Sequence, residues 1–311
     1  MRVVFWGSPA FAVPTLRALG DEGHLIAGVV TKPDRPAGRG RKSRPCAVKA
    51  YSEAEGLEVL APDRPRGEAF LSELRALEAD VFVVVAYGHI LSREVFDMPK
   101  FGSVNAHASL LPDLRGAAPI AWAVAGGHDL TGITVMRIVE ELDAGPILLQ
   151  GELPIDPSES ASELTNRLAE LGAGLIIEAL ALLEVAGLDE REQDHSRATY
   201  APKLDRKAAR VRWEGTATPV SDHIRGMDAA PGAWTELEGQ PLKVYRSEPL
   251  PLWSHAVAPG SILAADAAEG LVVATGQGGV RIGEVQAAGG RRMQAGEWLR
   301  GRPLPDGSRF T

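Results

Sequence analysis

Short apolar runs alternate with amphipathic segments along the first half of this chain of 311 residues. The apolar runs, which predict strands, cover 2–6, 24–30, 80–86, 102–106 and 132–139. Apolar residues recur at helical spacing over 11–19, 47–56, 67–78 and 118–125. Strands that alternate with helices favour an α/β fold. We therefore predict a Rossmann-like, doubly wound and mostly parallel sheet.

The second half of the chain has a different pattern. A long helix is predicted over 160–186, with Ser160 or Ser162 as its start signal and Gly187 as its stop signal. After a polar stretch come short apolar runs separated by Gly and Pro, over 233–237, 242–245, 260–263, 270–275 and 279–284. Such runs predict a small, OB-like β-barrel. The predicted organisation is a first domain over 1–188, a linker over 189–206 and a C-terminal β-barrel domain over 207–311.

The composition is that of an ordinary globular protein, with 45% hydrophobic and 24% charged residues. No apolar run reaches the roughly 18 residues that a membrane span requires, and residues 1–14 lack the pattern of a secretion signal. Cys46 is the single cysteine, so no internal disulfide can form. These features predict a protein of the reducing cytoplasm that does not associate with membranes.

Charge is unevenly distributed along the chain, whose formal net charge is −8 at pH 7. Residues 31–49 hold seven basic residues and a single acidic residue, Asp34. Two glycines and two prolines lie within 33–40 of this basic loop. Flexible basic loops order on a phosphate backbone, so the segment predicts contact with a polyanion, and a solvated basic turn is the alternative interpretation.

Candidate catalytic groups lie at the end of the fourth predicted strand. Asn105 and His107 are two residues apart, so their side chains point to the same face of the sheet. An amide can polarise an acyl carbonyl, and an imidazole can accept a proton. Asp143, in a later predicted loop, can orient the imidazole. These are the groups that acyl transfer to an amine requires.

Several other chemistries lack their motifs. The opening segment GSPAFA has no G-x-G-x-x-G, which disfavours a dinucleotide site, and no G-x-x-x-x-G-K-[ST] string predicts nucleotide hydrolysis. The other histidines have no metal-ligand spacing, so we predict no metal site. These histidines are His24, His128, His195, His223 and His255.

A longer string around the candidate catalytic groups resembles the folate-dependent formyltransferases. It comprises VNAHASLLPDLRGAAPIAWA, TGITVM and LDAGPIL. The family pattern is Asn-x-His-x-Ser-Leu-Leu-Pro, then Arg-Gly, then an aspartate in a Leu-Asp-x-Gly turn. The matching positions here are Asn105, His107, Ser109, Leu110, Leu111, Pro112, Arg115, Gly116, Asp143 and Gly145. Ala108 departs from the pattern, since the family usually has glycine there.

The resemblance runs nearly from end to end and is strongest to the family members that act on methionyl-tRNA. It includes GSPAFAVPTLRAL at 7–19, TKPDRPAGRGRK at 31–42 and YAPKL at 200–204. It implies formyl transfer from 10-formyltetrahydrofolate, a co-substrate, to the amino group of methionyl-initiator tRNA in translation initiation. The resemblance implies neither a metal nor a tightly held cofactor.

The resemblance also implies roles for individual residues. Asn105 would donate to the oxyanion, His107 would stabilise the intermediate and relay the amine proton, and Asp143 would orient the imidazole. The expected folate-binding residues are Tyr87, Gly88, His89, Ser109, Leu110, Leu111 and Pro112, with His89 standing where glutamine is expected. The expected tRNA-binding residues are Arg39, Arg41, Lys42 and Lys203.

Three alternative functions stay open at this stage. A formyltransferase acting on an amino sugar nucleotide would not need the basic loop, and a folate-dependent hydrolase would use water in place of the amine. A non-catalytic RNA-binding protein would not need Asn105, His107 and Asp143 intact. Because no unpaired apolar stripe is evident in the sequence, a monomer is predicted.

Overall fold

The structure is a computed structural model that describes residues 1–37, 42–228, 230–254, 256–266, 270–305 and 307–311. The chain forms two compact units. The first unit contains Met1–Ala117, Thr131–Leu153 and Thr165–Ala201, and the second contains Ala118–Leu130, Pro154–Leu164 and Pro202–Thr311. Each unit thus combines three segments of the chain. The limits of the first domain (1–188), the linker (189–206) and the C-terminal domain (207–311) stay a prediction.

The elements follow one another in the order that the alternating pattern predicts. The strands are β1 (Arg2–Gly7), β2 (Leu25–Val30), β3 (Arg35–Ala37), β4 (Lys42–Arg44), β5 (Val59–Leu60), β6 (Val81–Val85), β7 (Ser103–His107), β8 (Arg115–Gly116), β9 (Leu130–Arg137), β10 (Ile147–Pro154), β11 (Tyr200–Ala201), β12 (Trp234–Leu237), β13 (Gln240–Leu250), β14 (Ile262–Asp266), β15 (Gly270–Ala274), β16 (Gly279–Ala287) and β17 (Met293–Gln294). The helices are α1 (Val13–Asp21), α2 (Ala47–Ala54), α3 (Glu68–Ala76), α4 (Arg93–Phe96), α5 (Pro119–Ala125), α6 (Ala161–Glu184), α7 (Ala217–Gly226) and α8 (Ala295–Gly301), with 3₁₀ turns at Ala10–Ala12 and His195–Arg197.

The first unit is built on a seven-stranded sheet with the order β10-β9-β7-β6-β1-β2-β5. Five neighbouring strands of this sheet are parallel, namely β5, β2, β1, β6 and β7. Strand β9 runs antiparallel to β7. A parallel pair needs a crossover connection, usually a helix packed on the sheet. The helix between these two strands, α5, belongs to the second unit.

The antiparallel direction of β9 changes where its following loop begins. Arg137, the last residue of β9, pairs with Val104 near the start of β7, while Thr134 pairs with His107 at the end. The loop 138–146 therefore leaves the sheet beside the beginning of β7, not at the carboxyl ends of the parallel strands. It must return along β7 to bring Asp143 to His107.

Helix α6 begins at the predicted capping residue. The Ser160 backbone N–H donates to Glu163 Oε2 at 2.9 Å, and the Glu163 N–H donates to Ser160 Oγ at 3.4 Å. This reciprocal pair is a capping box. At the other end, the left-handed residue is Ala186, with φ of 51°, and not the predicted stop residue Gly187. Gly187 instead donates its N–H to the Leu182 carbonyl at 3.0 Å, which closes the last turn.

The second unit contains the predicted β-barrel, an antiparallel sheet with the order β12-β13-β16-β15-β14. Residues 308–311 connect its two edges. The Phe310 N–H donates to the Gly260 carbonyl beside β14, and Thr311 exchanges two hydrogen bonds with Glu236 of β12, at 3.0 Å each. Phe310 is buried and stacks on Trp213 at 5.9 Å between ring centroids. Backbone groups at both edges of this sheet are thereby paired.

The pattern of apolar residues does not predict strands and helices that are too short to show a repeat. A two-residue strand such as β5 or a four-residue helix such as α4 has no repeat to detect. Strand β10 and helices α7 and α8 were also missed, because their apolar positions are few or irregular. Among the described residues, no helix combines the length and apolar character needed to cross a membrane.

His223 of α7 couples the stability of the second unit to pH. Burial lowers the pKa of His223 from its ordinary value of 6.5, although hydrogen bonds with the backbone at Ala209 and Arg210 act in the opposite direction. Its buried Nε2 has no partner among the described residues, which favours the neutral ring. The unfolded state then binds more protons than the folded state below about pH 6.5, so stability falls as pH falls through this range.

We predict that lowering the pH from about 7.5 to about 5.5 reduces the free energy of unfolding less in a His223→Gln variant than in the parent. Urea unfolding followed by tryptophan fluorescence measures this, because every tryptophan except Trp6 lies in the second unit. The control is His128→Gln, at an exposed histidine of the same unit. Parallel pH profiles for the parent and the His223→Gln variant would contradict the assignment.

Candidate active site

Asn105 and His107 lie on the same face of β7, in the middle of the sheet. Asn105 pairs with Val84 of β6 and with Met136 of β9, so its backbone is held on both sides. Its side chain is half-buried, and none of the described residues forms a hydrogen bond with its amide. The amide N–H₂ is therefore available to a ligand on the face that it shares with His107.

A backbone carbonyl fixes the tautomer of His107. The buried ring places Nε2 3.0 Å from the Leu114 carbonyl oxygen. A carbonyl only accepts hydrogen bonds, so Nε2 carries the proton and donates it. In the neutral ring Nδ1 is then unprotonated, and it lies 3.7 Å from Asp143 Oδ2. Nδ1 is the nitrogen that can take up a proton, beside a carboxylate that would pair with the resulting cation.

The Asp143 carboxylate is held by one main-chain donor. Its Oδ2 accepts a hydrogen bond from the Gly116 N–H at 2.8 Å, and the side chain is 12% exposed. The backbone of Asp143 is left-handed, with φ of 52°, a conformation that residues other than glycine rarely adopt. The surrounding contacts must therefore maintain this conformation. Leu114 and Gly116, only two residues apart, thus hold His107 and Asp143, respectively.

A segment of the predicted linker pairs with this loop. Strand β8, which contains Gly116, runs parallel to β11 (Tyr200–Ala201). Gly116 has φ of +115°, and a Cβ there would lie 2.8 Å from the Ala201 carbonyl oxygen, so only glycine fits without displacement. The Leu114 N–H also donates to Thr199 Oγ1 at 2.8 Å. Residues 199–201 therefore support the loop that holds both candidate catalytic side chains.

Two residues that the sequence analysis did not select for the site support the Asp143 loop. Gln193, at 5% exposure, donates to the carbonyl oxygens of Asp143 and Gly145 at 2.9 and 2.8 Å. Its own oxygen accepts from Arg115, a guanidinium at 1% exposure. Arg115 belongs to the family string, but Gln193 lies in a polar stretch whose composition resembles a linker. No signal in a single sequence distinguishes this glutamine from its solvated neighbours.

The expected folate-binding string after β7 forms a turn that is hydrogen-bonded within itself and to β9. The Ser109 hydroxyl donates to the Asp113 carbonyl at 2.6 Å, and the Leu111 N–H donates to Thr134 Oγ1 at 3.0 Å. Leu111 is buried, while Leu110 and Pro112 are half-buried. Ala108 is buried, and its φ is not among the positive values of the described residues. The turn therefore accommodates the β-carbon that departs from the family pattern.

The expected folate-binding segment after β6 is divided between the core and the surface. Tyr87 is buried against Trp6, with ring centroids 5.2 Å apart, and no described residue bonds to its hydroxyl. Burial raises the pKa of Tyr87 to about 12. Gly88 is exposed, with φ of +72°, and the Lys32 ammonium lies against it. His89 is half-buried, with its ring 5.5 Å from that of Tyr87. The folate contacts stay a prediction.

The expected tRNA-binding residues lie in the basic loop and at the start of the last segment of the second unit. Arg39 and Arg41 lie outside the described residues, and Lys42 is described only as a backbone position in β4. Lys203 is exposed in the second unit. No group of three or more His, Cys, Asp or Glu able to hold a metal ion occurs in the described part of the chain.

Comparison with known proteins identifies the family. The family described as "Formyl transferase" matches residues 1–180, and the family "Formyl transferase, C-terminal domain" matches residues 203–303. The chain belongs to the formyl transferase family. Relatives named methionyl-tRNA formyltransferase include proteins from Aromatoleum aromaticum, 44% identical over all of this chain and 97% of theirs, and Pelotomaculum thermopropionicum, 42% identical over 99% of this chain and 97% of theirs.

The predicted fold class is confirmed by the family and by solved structures. The crystal structure of HypX from Aquifex aeolicus in complex with tetrahydrofolic acid matches all of this chain with a TM-score of 0.67 at 20% identity. The present chain spans about half the length of that protein, with 50% of it covered. The formyl transferase fold thus accounts for the Rossmann-like sheet of the first unit.

We predict that Gly116→Ala lowers the free energy of unfolding by about 1–3 kcal/mol, because alanine is strained at a positive φ and its Cβ approaches the Ala201 carbonyl. Chemical unfolding followed by circular dichroism measures this. Gly174→Ala is the control: Gly174 lies inside α6, a Cβ there meets nothing within 4 Å, and alanine should raise stability by about 0.5–1 kcal/mol. Equal unfolding energies for the parent and Gly116→Ala would contradict the close packing of β8 on β11.

Proposed function

We propose that the protein transfers a formyl group from 10-formyltetrahydrofolate to the α-amino group of methionine esterified to initiator tRNA. The relatives at 42–44% identity are named methionyl-tRNA formyltransferases, and they cover nearly the whole chain. The observation that carries the chemistry is the geometry of His107: Nδ1 faces the Asp143 carboxylate, and the Asn105 amide, to which no described residue bonds, lies on the same strand face.

In the proposed mechanism the neutral amine attacks the formyl carbon, and a tetrahedral oxyanion forms. The Asn105 amide donates a hydrogen bond to this oxygen, which stabilises the charge that develops in the transition state. His107 accepts the amine proton at Nδ1, and the Asp143 carboxylate stabilises the imidazolium. The bond between the formyl carbon and N10 of the folate then breaks, and the proton passes to N10. Tetrahydrofolate and the N-formylated amine are the products.

Asn105 and His107 have complementary roles that need their fixed positions on β7. The oxyanion and the amine proton develop on neighbouring atoms of the same intermediate, so the donor to the oxyanion and the acceptor of the proton must lie on the same side of the ligand. Strand pairing on both sides of β7 keeps the two side chains at fixed separation. We infer that Ser109–Pro112 and residues 87–89 bind the folate beside this face, as the family resemblance implies.

The proposed RNA contacts rest on the family resemblance and on charge. Arg39, Arg41 and Lys42 belong to the basic loop, and Lys203 is an exposed cation near the start of the C-terminal match. Phosphate contacts of this kind make binding strongly dependent on salt. We also propose that the protein acts as a monomer in the cytoplasm, where charged initiator tRNA is used.

The deciding experiment mixes the purified protein with 10-formyltetrahydrofolate and methionyl-tRNA and measures formyl-methionine on the RNA. Charged elongator tRNA and free methionine serve as parallel acceptors. Formylation confined to the charged initiator is the expected result. Folate consumption without formylated RNA would overturn the proposal and would indicate a hydrolase or a small-molecule formyltransferase.

We predict that Asn105→Ala lowers kcat by about 10²–10³-fold, because it removes the donor to the oxyanion. Asp143→Asn should lower kcat by about 10²–10⁴-fold, because the imidazolium loses its carboxylate partner. Neither change should alter the KM for tRNA by more than about threefold, since these groups act on the transition state. Steady-state kinetics measures both constants. The matched control is Asn166→Ala, on the exposed face of α6, and near-parental kcat in Asn105→Ala would refute the oxyanion role.

We predict that Arg39→Ala raises the apparent KM for methionyl-tRNA by about threefold to tenfold, the order expected for one lost phosphate contact. The KM for the folate should stay unchanged. The control is Arg93→Ala, which removes an exposed arginine paired with Asp97 at 3.2 Å. Equal effects on the two KM values would show that the loop does not act through the RNA.

A further inference from the structure

The loop that contains Asp143 is held to the rest of the first unit by a buried glutamine. Gln193 Nε2 donates to two main-chain carbonyls, those of Asp143 at 2.9 Å and Gly145 at 2.8 Å. Both carbonyls flank the turn in which Asp143 adopts its left-handed backbone. A backbone held in this rarely populated region persists only when its surroundings stabilise it. The two hydrogen bonds from Gln193 are such a constraint.

Arg115 decides which way the Gln193 amide points. The guanidinium is almost completely buried and has only donors, so the group facing it must be an acceptor. Gln193 Oε1 lies 2.7 Å from Arg115 Nη2 and 3.2 Å from Arg115 Nε. The amide oxygen is therefore directed to Arg115, and the amide nitrogen is directed to the Asp143 loop. If the amide were rotated by half a turn, its NH₂ group would face the Arg115 donors, and its oxygen would face the carbonyl oxygens of Asp143 and Gly145.

The orientation of Arg115 is fixed in turn by its other partners. Its Nη2 lies 2.9 Å from His195 Nδ1, and its Nη1 lies 3.4 Å from Glu141 Oε1. Its backbone N–H donates to the Thr199 carbonyl at 2.9 Å. Arg115 is also adjacent to Gly116, whose N–H holds the Asp143 carboxylate. The Asp143 residue is therefore held at two points, through its side chain by Gly116 and through its main chain by Gln193.

We propose that Gln193 is a positioning residue for the formyl transfer reaction, acting through Asp143 and oriented by Arg115. The inference rests on the proposed function, in which Asp143 must lie beside His107 Nδ1. Displacement of a catalytic group by about 1 Å can cost about 10²-fold in rate. Gln193 forms no described hydrogen bond with His107 or Asn105. Its amide nitrogen makes two hydrogen bonds of normal length to the Asp143 loop and only a long contact, 3.9 Å, to Met136 Sδ, so we expect its effect on the reaction to pass mainly through the Asp143 loop.

The test is the isosteric change Gln193→Glu, which keeps an acceptor for Arg115 and removes both donors to the Asp143 loop. We expect kcat for formyl transfer to fall by about 10- to 100-fold, with each KM changed by less than about threefold. The matched control is Gln286→Glu, at a glutamine of the barrel that also donates to a main-chain carbonyl, that of Gly290 at 3.1 Å. It should keep parental kcat.

A double-mutant cycle separates positioning from general stability. In an Asp143→Asn background, Gln193→Glu should change kcat by less than about twofold, because residues that act through one another are not additive. A purely structural role would lower kcat by the same factor in both backgrounds. That equal loss, or unchanged kcat in the single variant, would overturn the proposal. Gln193→Met provides a second variant if the glutamate variant does not fold.

Hydrogen–deuterium exchange gives a readout that does not depend on the substrate. Peptides covering 138–147 should exchange faster in Gln193→Glu than in the parent, and Gln286→Glu should leave them unchanged. Parental exchange rates in Gln193→Glu would contradict the constraint on the loop. If the parent itself fails to formylate methionyl-tRNA, the proposed function fails, while this exchange measurement still tests whether Gln193 holds the Asp143 loop.

Discussion

The main chain of residues 114–116 is the constraint on which the candidate active site depends. The Leu114 carbonyl accepts from His107 Nε2, and the Gly116 N–H donates to the Asp143 carboxylate. One short backbone segment therefore fixes the tautomer of the imidazole and the position of its counter-ion. Main-chain groups are well suited to this task, because they carry no rotamer freedom of their own. Their position depends only on what holds the loop.

Pairing with residues 191–201 holds that loop. Strand β11 pairs with β8, Thr199 bonds to both Leu114 and Arg115, and Gln193 links Arg115 to the Asp143 turn. The Gly116 position shows how close this approach is, since a β-carbon there would meet the Ala201 carbonyl. The geometry of the candidate site, on β7 and in the loop after β9, thus depends on a segment that arrives more than fifty residues after the end of β9. This dependence explains how a polar stretch can be essential to a catalytic geometry.

Local patterns predicted the parts of the fold that have a local cause. Strands β1, β2, β6, β7 and β9 follow from apolar runs, the start of α6 follows from a serine start signal, and the shared face of Asn105 and His107 follows from strand alternation. Asp143 is a candidate on chemical grounds and by the family resemblance, because no periodicity brings the loop after β9 onto β7. Gln193 and the left-handed end of α6 at Ala186 could not be predicted, since both depend on contacts formed only after folding. Residues 189–199 have the polarity of a linker, and their sequence alone does not reveal a buried amide.

The most direct test of this account is the tautomer of His107. Nitrogen-15 chemical shifts of the histidine rings distinguish protonated from unprotonated ring nitrogens, and a His107→Gln variant identifies the His107 signals. At a pH where the ring is neutral, the account predicts a proton on Nε2, donated to Leu114, and a free Nδ1 facing Asp143. A proton on Nδ1 with Nε2 free would contradict it, because the nitrogen facing the carboxylate would then be unable to accept the amine proton.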